Sequence, residues 1–441
     1  MTAAPRWWRP GLVLVVAVAV AVRLAFALLV APDLPMPGDA KVYREMAAHL
    51  ADGEGLSLPG VDTDELQPTA EHPPLFPGLL AVLDLLALDS PGGQRTVLAL
   101  LSGLGVAVVA LLGRRVGGPA VGIGAAGIAA VHPLWFQSAG MIMSEALHLV
   151  LVPAVVLAGA RLAAQPGRRA ALLLGATVGV AALNRPESLG FLVVVGVPAI
   201  IMAARPWPRR VVLGGLVGVA CLALVAPWVL RNEVQLGAPT MATNSGKTLL
   251  GSNCTSAYAG PSLGGFDYTC FFGVATYLVE VGPPGGGQWD GLSFDRSLGD
   301  VGRQFIDDHR GQVPKVVAAR IARMWGLRYA SDQLAFDVLE GRHRSLQRAG
   351  QGLHLALLPF AAAGAVIALG RHRREALLLL GIPVLVTSTT LLVYGGTRMR
   401  SGAEPAIAVF AAYAAVEVAR RVRRPAKIPS IETPDGSLTS A

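Results

Sequence analysis

Long apolar runs recur throughout the chain, and they decide what it can become. Gly11–Val22, Val97–Leu112 and Val211–Val225 carry no charged residue, and further runs of this kind follow one another to residue 420. Several belong to segments of about 20 residues, the length that crosses a bilayer. Charged residues make up only 15% of the 441, against about 25% in soluble domains. The fold class is therefore an all-α polytopic membrane protein. A cytosolic enzyme, a DNA-binding protein and a secreted disulfide scaffold are excluded. The net charge of +8 does not indicate a nucleic-acid partner, because arginines at membrane edges produce the same total. Three cysteines are too few for a thiol framework or metal cluster. Basic residues that are nearly all Arg, amid abundant Ala, Val and Gly, suggest a high-GC bacterial genome.

Candidate helices fall at about 10–30, 75–90, 95–113, 119–135, 142–163, 169–184, 187–205, 210–230, 352–370, 375–394 and 403–420. The first follows Arg6 and Arg9, contains Arg23 and lacks a small-residue cleavage site before Pro32, so it reads as a retained helix and not as a signal peptide. Short Arg-rich connections occur at Arg6/Arg9, Arg114–Arg115, Arg161/Arg168/Arg169, Arg205/Arg209/Arg210, Arg371/Arg373/Arg374 and Arg420–Lys427. The positive-inside rule places all six in the cytoplasm. If both 75–90 and 95–113 crossed, Arg114–Arg115 would lie outside and every later assignment would invert. Segment 75–90 is short, begins after Pro73-Pro74 and carries Asp84 and Asp89, so it is expected as an outer juxtamembrane helix. Ten crossings remain, with both termini inside.

Two long segments then face outward, 31–94 and 232–350. The second is expected to be a folded lid, since long loops are usually functional. Within it Leu298, Val301, Phe305 and Ile306 suit one helix face. Val316, Val317, Ile321, Met324 and Trp325, interleaved with Arg320, Arg323 and Arg328, predict an amphipathic helix lying on the bilayer surface. Cys254 and Cys270 share this outward loop, an oxidising location that favours a disulfide, with two free thiols as the alternative. The polar tail over 421–441 is expected to be disordered. The expected organisation is a seven-crossing module over 1–231, the lid over 232–350, and three further helices over 351–420.

Polar residues at membrane depth carry the functional information. Asp39 opens an amphipathic segment with Val42, Tyr43, Met46 and Leu50 on one side; it is a candidate base, or simply an N-cap. Glu71-His72-Pro73-Pro74 is a candidate site turn or a solvated proline turn. Ser144-Glu145 stands at the outer end of a crossing, where a carboxylate needs a wet or paired cavity. Arg185 and Glu187 bracket Pro186, and pairing with each other or with Glu145 explains them equally well. Asn244-Ser245-Gly246-Lys247 superficially resembles a phosphate loop but lacks its full spacing. Arg398 and Arg400 stand on the outer side, where few basic residues are expected; they suit an anionic head group, or a pairing with carboxylates. His132 and His148 read as core or interface residues.

Taken in order, Gly38-Asp39 with Tyr43, Glu71-His72-Pro73-Pro74-Leu75, Ser144-Glu145, Asn184-Arg185-Pro186-Glu187, Pro227-Trp228 through Arg231-Asn232, Thr243-Asn244-Ser245-Gly246 and Thr397-Arg398-Met399-Arg400 through Glu404-Pro405 resemble the GT-C membrane glycosyltransferases. The similarity is to bacterial relatives of protein O-mannosyltransferases and of the lipid A aminoarabinose transferase, and covers roughly residues 10–420. It implies a GT-C fold with outer juxtamembrane helices. It implies transfer of a sugar from a polyprenyl-phosphate carrier to an extracytoplasmic glycan, lipid or protein acceptor at the bacterial plasma membrane. By this likeness Asp39 is the catalytic base and Glu145 a second active-site acid. His72, Arg185, Glu187, Lys247, Arg398 and Arg400 would bind donor phosphate or substrate. Glu71 matches a position that can ligate a divalent metal, yet the sequence supplies no convincing partner His.

A lipid or sugar transporter and a catalytically inactive scaffold are the competing classes. Against a transporter stand the two large outward segments, the lack of an inverted repeat, and polar residues gathered at one face instead of the midplane.

Overall fold

The computed structural model describes residues 5–203 and 206–422. Arg205 and the tail beyond Val422 lie outside the described residues. The chain is helical almost throughout. α1 (Trp8–Leu29) leads to a first unit of α2 (Gly38–Ala51), the antiparallel pair β1 (Ser57–Pro59) and β2 (Leu66–Pro68), and α3 (Leu75–Leu85). The strands pair Leu58 with Gln67 at their centre. The bundle continues with α4 (Pro91–Gly117), α5 (Pro119–Val131), α6 (Pro133–Gly140), α7 (Glu145–Ala164) and α8 (Arg168–Asn184). A 3₁₀ turn and a π turn then lead into α9 (Val197–Ala203), followed by α10 (Trp207–Leu236). The long intervening segment folds as α11 (Ser245–Ser252), α12 (Thr255–Tyr258), α13 (Tyr268–Val281), α14 (Gly291–Asp308), α15 (Val313–Met324) and α16 (Ala330–Leu339). α17 (Arg344–Arg371), α18 (Arg373–Thr389) and α19 (Glu404–Val422) complete the bundle.

Proline sets several helix starts, because its fixed φ suits the first turn and its missing N–H is not needed there. Pro91, Pro119 and Pro133 all open helices this way. At Pro133 the effect is sharper: α5 and α6 meet at a bend of 55°. Pro133 has no N–H to give the Ala129 carbonyl, which in an apolar bundle would cost several kcal/mol on the order expected for an unpaired polar group. Arg23 of α1 fills the gap. It donates to the carbonyls of Ala129 at 3.0 Å and Ala130 at 3.1 Å, and its Nε donates to Ser102 Oγ at 3.0 Å. Small residues let the helices close up. At Gly364 a Cβ would collide with the Phe410 carbonyl, so α17 and α19 pack backbone to backbone there.

The basic turns gather at one end. Arg114 lies 5.0 Å from the Trp8 ring, Arg115 donates to the Ala160 carbonyl and pairs with Glu375, Arg209 donates to the Pro166 carbonyl, and Arg371 and Arg420 share Glu417. α1 begins at this end and α4 finishes there, so residues 31–90 remain at the opposite end. α3, with 11 residues, is about 16 Å long at 1.5 Å per residue, roughly half of a hydrocarbon core. Segment 75–90, expected from sequence as an outer juxtamembrane helix, forms this short apolar helix.

The count of ten crossings needs qualification. Among the described residues seven helices are long and apolar enough to cross a membrane, or eight if α5 and α6 form one bent span. The difference lies in α8 and α18, each of 17 residues. Both nevertheless join the basic end to the opposite end: Asn184 at the close of α8 donates to the Ser144 carbonyl, and Thr389 at the close of α18 stands near Arg398.

The expected surface helix around 316–325 is corrected. α15 forms where predicted, but Arg320 and Arg323 are buried, and their guanidiniums donate to the carbonyls of Ser252, Leu391 and Leu263. These arginines tie α15 into the long segment and to the end of α18, which a helix floating on lipid would not do. In α14, Leu298 is buried as expected and Phe305 packs against the small core around Tyr258, whereas Val301 is exposed.

Candidate active site

The end opposite the basic turns holds a cavity of about 240 Å³. Several short pieces of chain meet there: the start of α2, the 69–74 turn, the start of α7, the 184–187 turn, the 242–248 stretch, the end of α18 and the 393–401 segment. Asp39 and Glu145 both lie in the first turn of a helix, where the N-terminal dipole favours a carboxylate. The chain reaches Glu145 through Ile142, held at a φ of +54° that β-branched residues rarely adopt. Such strain is found where the surroundings over-determine a position.

Charged side chains form a continuous ladder. Arg398 Nη2 donates to Asp39 Oδ2 at 2.7 Å, and its Nε donates to Glu145. Glu145 also accepts from Arg185 at 2.9 Å, and Arg185 pairs with Glu187 at 2.6 Å. Glu340 stands 3.9 Å from Arg398 and accepts the Tyr268 hydroxyl at 2.8 Å. The side chain of Glu145 is 1% exposed and that of Asp39 27%, so of the two carboxylates that Arg398 holds, Asp39 is the one open to an incoming group. Glu187 is a further exposed carboxylate on the cavity. Burial works against ionisation of Asp39, but the positive groups around it, Arg398 first, outweigh burial and hold its carboxyl well below the usual carboxylate range. For Glu340 burial wins over Arg398 and pushes the carboxyl up. Burial likewise pushes the His72 imidazole down, against the pull of Asp39 and Glu71.

Neighbouring contacts hold the ladder in place. Tyr43 donates to Ser144 Oγ at 3.1 Å and stacks on His72, with ring centroids 4.1 Å apart. Thr397, the residue before Arg398, donates to the buried Asp337 at 2.8 Å, and Asp337 also accepts from Gln333 and Gln347. Phe191, Leu385, Val386 and Val393 add apolar surface, and Asn244, Thr248 and Thr389 line the cavity as well.

Of the residues singled out from sequence, Asp39, His72, Arg185, Glu187 and Arg398 line this cavity, and Glu145 lies behind Arg398. Lys247 does not line it. Lys247 pairs with Glu71 at 2.9 Å on an adjoining cavity. Arg400 is turned away altogether: fully buried, it donates to Glu404 at 2.7 Å and to the Met324 carbonyl, and Glu404 stands 3.5 Å from His354. It therefore serves packing between α15, α17 and α19 and is not a phosphate ligand of this cavity. The partner of Glu71 is an ammonium instead of a second metal donor, and among the described residues no three His, Cys, Asp or Glu side chains converge as a metal site. His148, read as a core residue, lines the cavity. Tyr394 and Glu340 were not singled out. Tyr394 ends an apolar run just before Gly395-Gly396, a signal that could have marked it, whereas nothing local distinguishes Glu340. In the long segment a disulfide joins Cys254 to Cys270, with Cα atoms 6.4 Å apart.

Residues 71–230 match the family model described as dolichyl-phosphate-mannose-protein mannosyltransferase. Among solved structures, the archaeal oligosaccharyltransferase AglB from Archaeoglobus fulgidus, in complex with an inhibitory peptide and a dolichol-phosphate, is similar at TM-score 0.54 and 13% identity, over 95% of this chain and 51% of that one. Its apo form gives 0.55, 14%, 95% and 51%. ArnT from Cupriavidus metallidurans bound to undecaprenyl phosphate aligns at TM-score 0.41 and 17% identity, over 94% of this chain and 79% of that one. No curated protein matches the sequence significantly. The chain spans about half the length of the archaeal structures it matches, and that likeness shows the fold. Residues 71–230, a little over a third of the chain, thus match that mannosyltransferase family model, and nearly the whole length of this multi-helix chain is similar in fold to the archaeal oligosaccharyltransferase.

Proposed function

We propose that the protein transfers a sugar from a polyprenyl-phosphate carrier to a hydroxyl-bearing acceptor. The observation that carries this reading is the single guanidinium of Arg398 spanning Asp39 and Glu145 on a cavity that also has an apolar surface of Phe191, Leu385, Val386 and Val393. Such a cavity suits a ligand that is anionic at one end and hydrocarbon at the other. The donor phosphate meets Arg398, with Arg185 behind it, and the polyprenyl chain runs along Phe191, Leu385 and Val393. The acceptor oxygen attacks the anomeric carbon as the bond from that carbon to the phosphate oxygen breaks. Its proton passes to Asp39, and polyprenyl phosphate leaves with its charge held by Arg398.

Phosphate binding also prepares the base. A carboxylate locked to Arg398 is a weak proton acceptor. A phosphate that takes over part of the guanidinium releases Asp39 and raises its basicity when the donor is in place. No step requires a metal. The match of 71–230 to a mannosyltransferase family supports a glycosyl donor. The clustering of arginines at the far end supports a bacterial plasma membrane orientation with both ends of the described chain cytoplasmic and the cavity extracytoplasmic. In this reading 1–231 is the catalytic module, 232–350 its lid, and 351–420 three supporting helices.

Purified protein incubated with a panel of polyprenyl-phosphate sugars and envelope acceptors tests the proposal. Transfer is expected, and Asp39→Asn is expected to slow it by at least about 100-fold. Equal turnover in that variant removes Asp39 from the chemistry. Movement of the lipid across vesicles without transfer, in both forms, assigns a transporter instead.

A further inference from the structure

A second cavity, of about 280 Å³, lies between the β1–β2 hairpin and the helices α11, α13 and α14. Its relation to the first is unusual. The successive residues Glu71 and His72 face different cavities, Glu71 the second and His72 the first. α11 with its lead-in is divided in the same way: Asn244 and Thr248 line the first cavity, Thr243 and Lys247 the second. The Glu71–Lys247 ion pair, at 2.9 Å, is therefore part of the partition between the two. Its position is built in. Asp295 of α14 accepts the backbone N–H groups of Gly246 and Lys247 at 2.9 Å each, and the Thr243 N–H donates to the Ala70 carbonyl at 2.8 Å.

We infer that this second cavity is a carbohydrate subsite, taking a sugar unit of the acceptor and presenting its hydroxyl to Asp39 past the Glu71–Lys247 pair. The inference rests on the transferase reading above and names its acceptor class. The lining has the two kinds of surface that a pyranose needs. Phe271 and Phe294 offer flat apolar faces for ring C–H groups. Thr69, Gln67, Glu71 and Lys247 offer hydroxyl partners, and among the described residues no hydrogen bond engages the Gln67 side-chain amide. The ion pair itself suits a diol. One hydroxyl can donate to the Glu71 carboxylate while its neighbour accepts from the Lys247 ammonium, so the pair opens without either charge being left unpaired. A hydrocarbon chain would leave that pair desolvated and uncompensated.

Trp289 supplies a reporter. Its indole is buried, 5.4 Å from the Phe294 ring, and is one of seven tryptophans in the chain. The full chain in detergent is titrated with methyl α-mannoside, methyl β-glucoside, chitobiose and a Ser/Thr-containing hexapeptide, following emission that Trp289→Phe removes. At least one saccharide is expected to give a saturable change. Gln67→Ala and Phe294→Ala are each expected to raise its half-saturation by about fivefold or more, the loss of a single hydrogen bond or ring contact. Gln67→Ala alone decides the matter if Phe294→Ala does not fold. A saturable response to the peptide with none to any saccharide overturns the inference in favour of a peptide acceptor. A saccharide response unchanged by Gln67→Ala places the sugar elsewhere and overturns it too, as does silence with all four probes. Binding of polyprenyl phosphate is measured in parallel. Its absence defeats the transferase reading without touching the Trp289 readout, so the two failures are distinguishable.

Discussion

Arg398 and Glu145 stand 253 positions apart in the chain, and the guanidinium Nε of the first donates to the carboxylate of the second. The same guanidinium reaches Asp39 through Nη2. One planar cation thus fixes two carboxylates of opposite character, one enclosed and one open to the cavity. A buried charge pair contributes little net stability by itself, but removing one member strands the other. The position is therefore sensitive to any change in the shape of the cation.

Arg398→Lys keeps the charge but loses the fork. An ammonium cannot hold Asp39 and Glu145 along two separate directions. Transfer by this variant is expected to fall by at least about tenfold, of the same order as in Arg398→Ala, in steady-state assays with the lipid donor. Near-normal turnover with Lys would reduce Arg398 to a simple charge.

The pH dependence follows from the position of Asp39. With Arg398 present its carboxyl is held below the usual carboxylate range, so the base stays ionised throughout mildly acidic pH. Removing the guanidinium raises that pKa, and the protonated, inactive form then appears at higher pH. The acid limb of kcat/KM against pH in Arg398→Gln is expected to lie at higher pH than in the wild type. An acid limb at the same pH in both proteins would separate Asp39 from the rate-limiting proton transfer.

Arg400→Ala is expected to act on stability and leave the donor KM near the wild-type value. It strands the buried Glu404 carboxylate beside His354. Breaking such a pair costs about 3–5 kcal/mol. A thermal melt in detergent, read beside donor affinity for any folded fraction, tells the two effects apart. A donor affinity lost without any fall in melting temperature would return Arg400 to the binding site.

Loss of the Cys254–Cys270 bond is expected to loosen the segment between α10 and α17. The two cysteines are 16 residues apart, and a closed loop of that size contributes roughly 3 kcal/mol in the chain-entropy account. Non-reduced peptide mass spectrometry of protein from its native membrane should find the pair linked, and reduction should expose the segment to protease. Alkylatable thiols at both positions in untreated protein would contradict the bond.

The sequence disclosed the bundle because hydrocarbon imposes simple rules. Apolar length located the long helices, and the Arg-rich turns led to the expectation that 75–90, which forms the short α3, does not cross. It disclosed Asp39, Glu145 and Arg398 because charge near an apolar run demands an explanation. It could not separate Arg398 from Arg400. Residues 399–403 form a 3₁₀ turn, and its tighter winding sends two arginines only two positions apart to different surroundings. Nor could it show that Arg320 and Arg323 point inward, because the carbonyls that receive them come from residues 252, 263 and 391. Periodicity reports which residues share a face, not what that face meets.

The guanidinium of Arg23 has a consequence for how the protein is made. Its acceptors on α5 lie 106 and 107 residues further along the chain. When α1 emerges from the ribosome, those carbonyls have not been synthesised, and of the acceptors Arg23 uses in the folded chain only the Ala19 carbonyl, one turn back on α1, is at hand. The interhelical acceptors of this charge are complete only once α4 and α5 are in place. Replacing Arg23 by leucine would make α1 more apolar, at the expense of leaving the kink at Pro133 without the donor that reaches the Ala129 carbonyl.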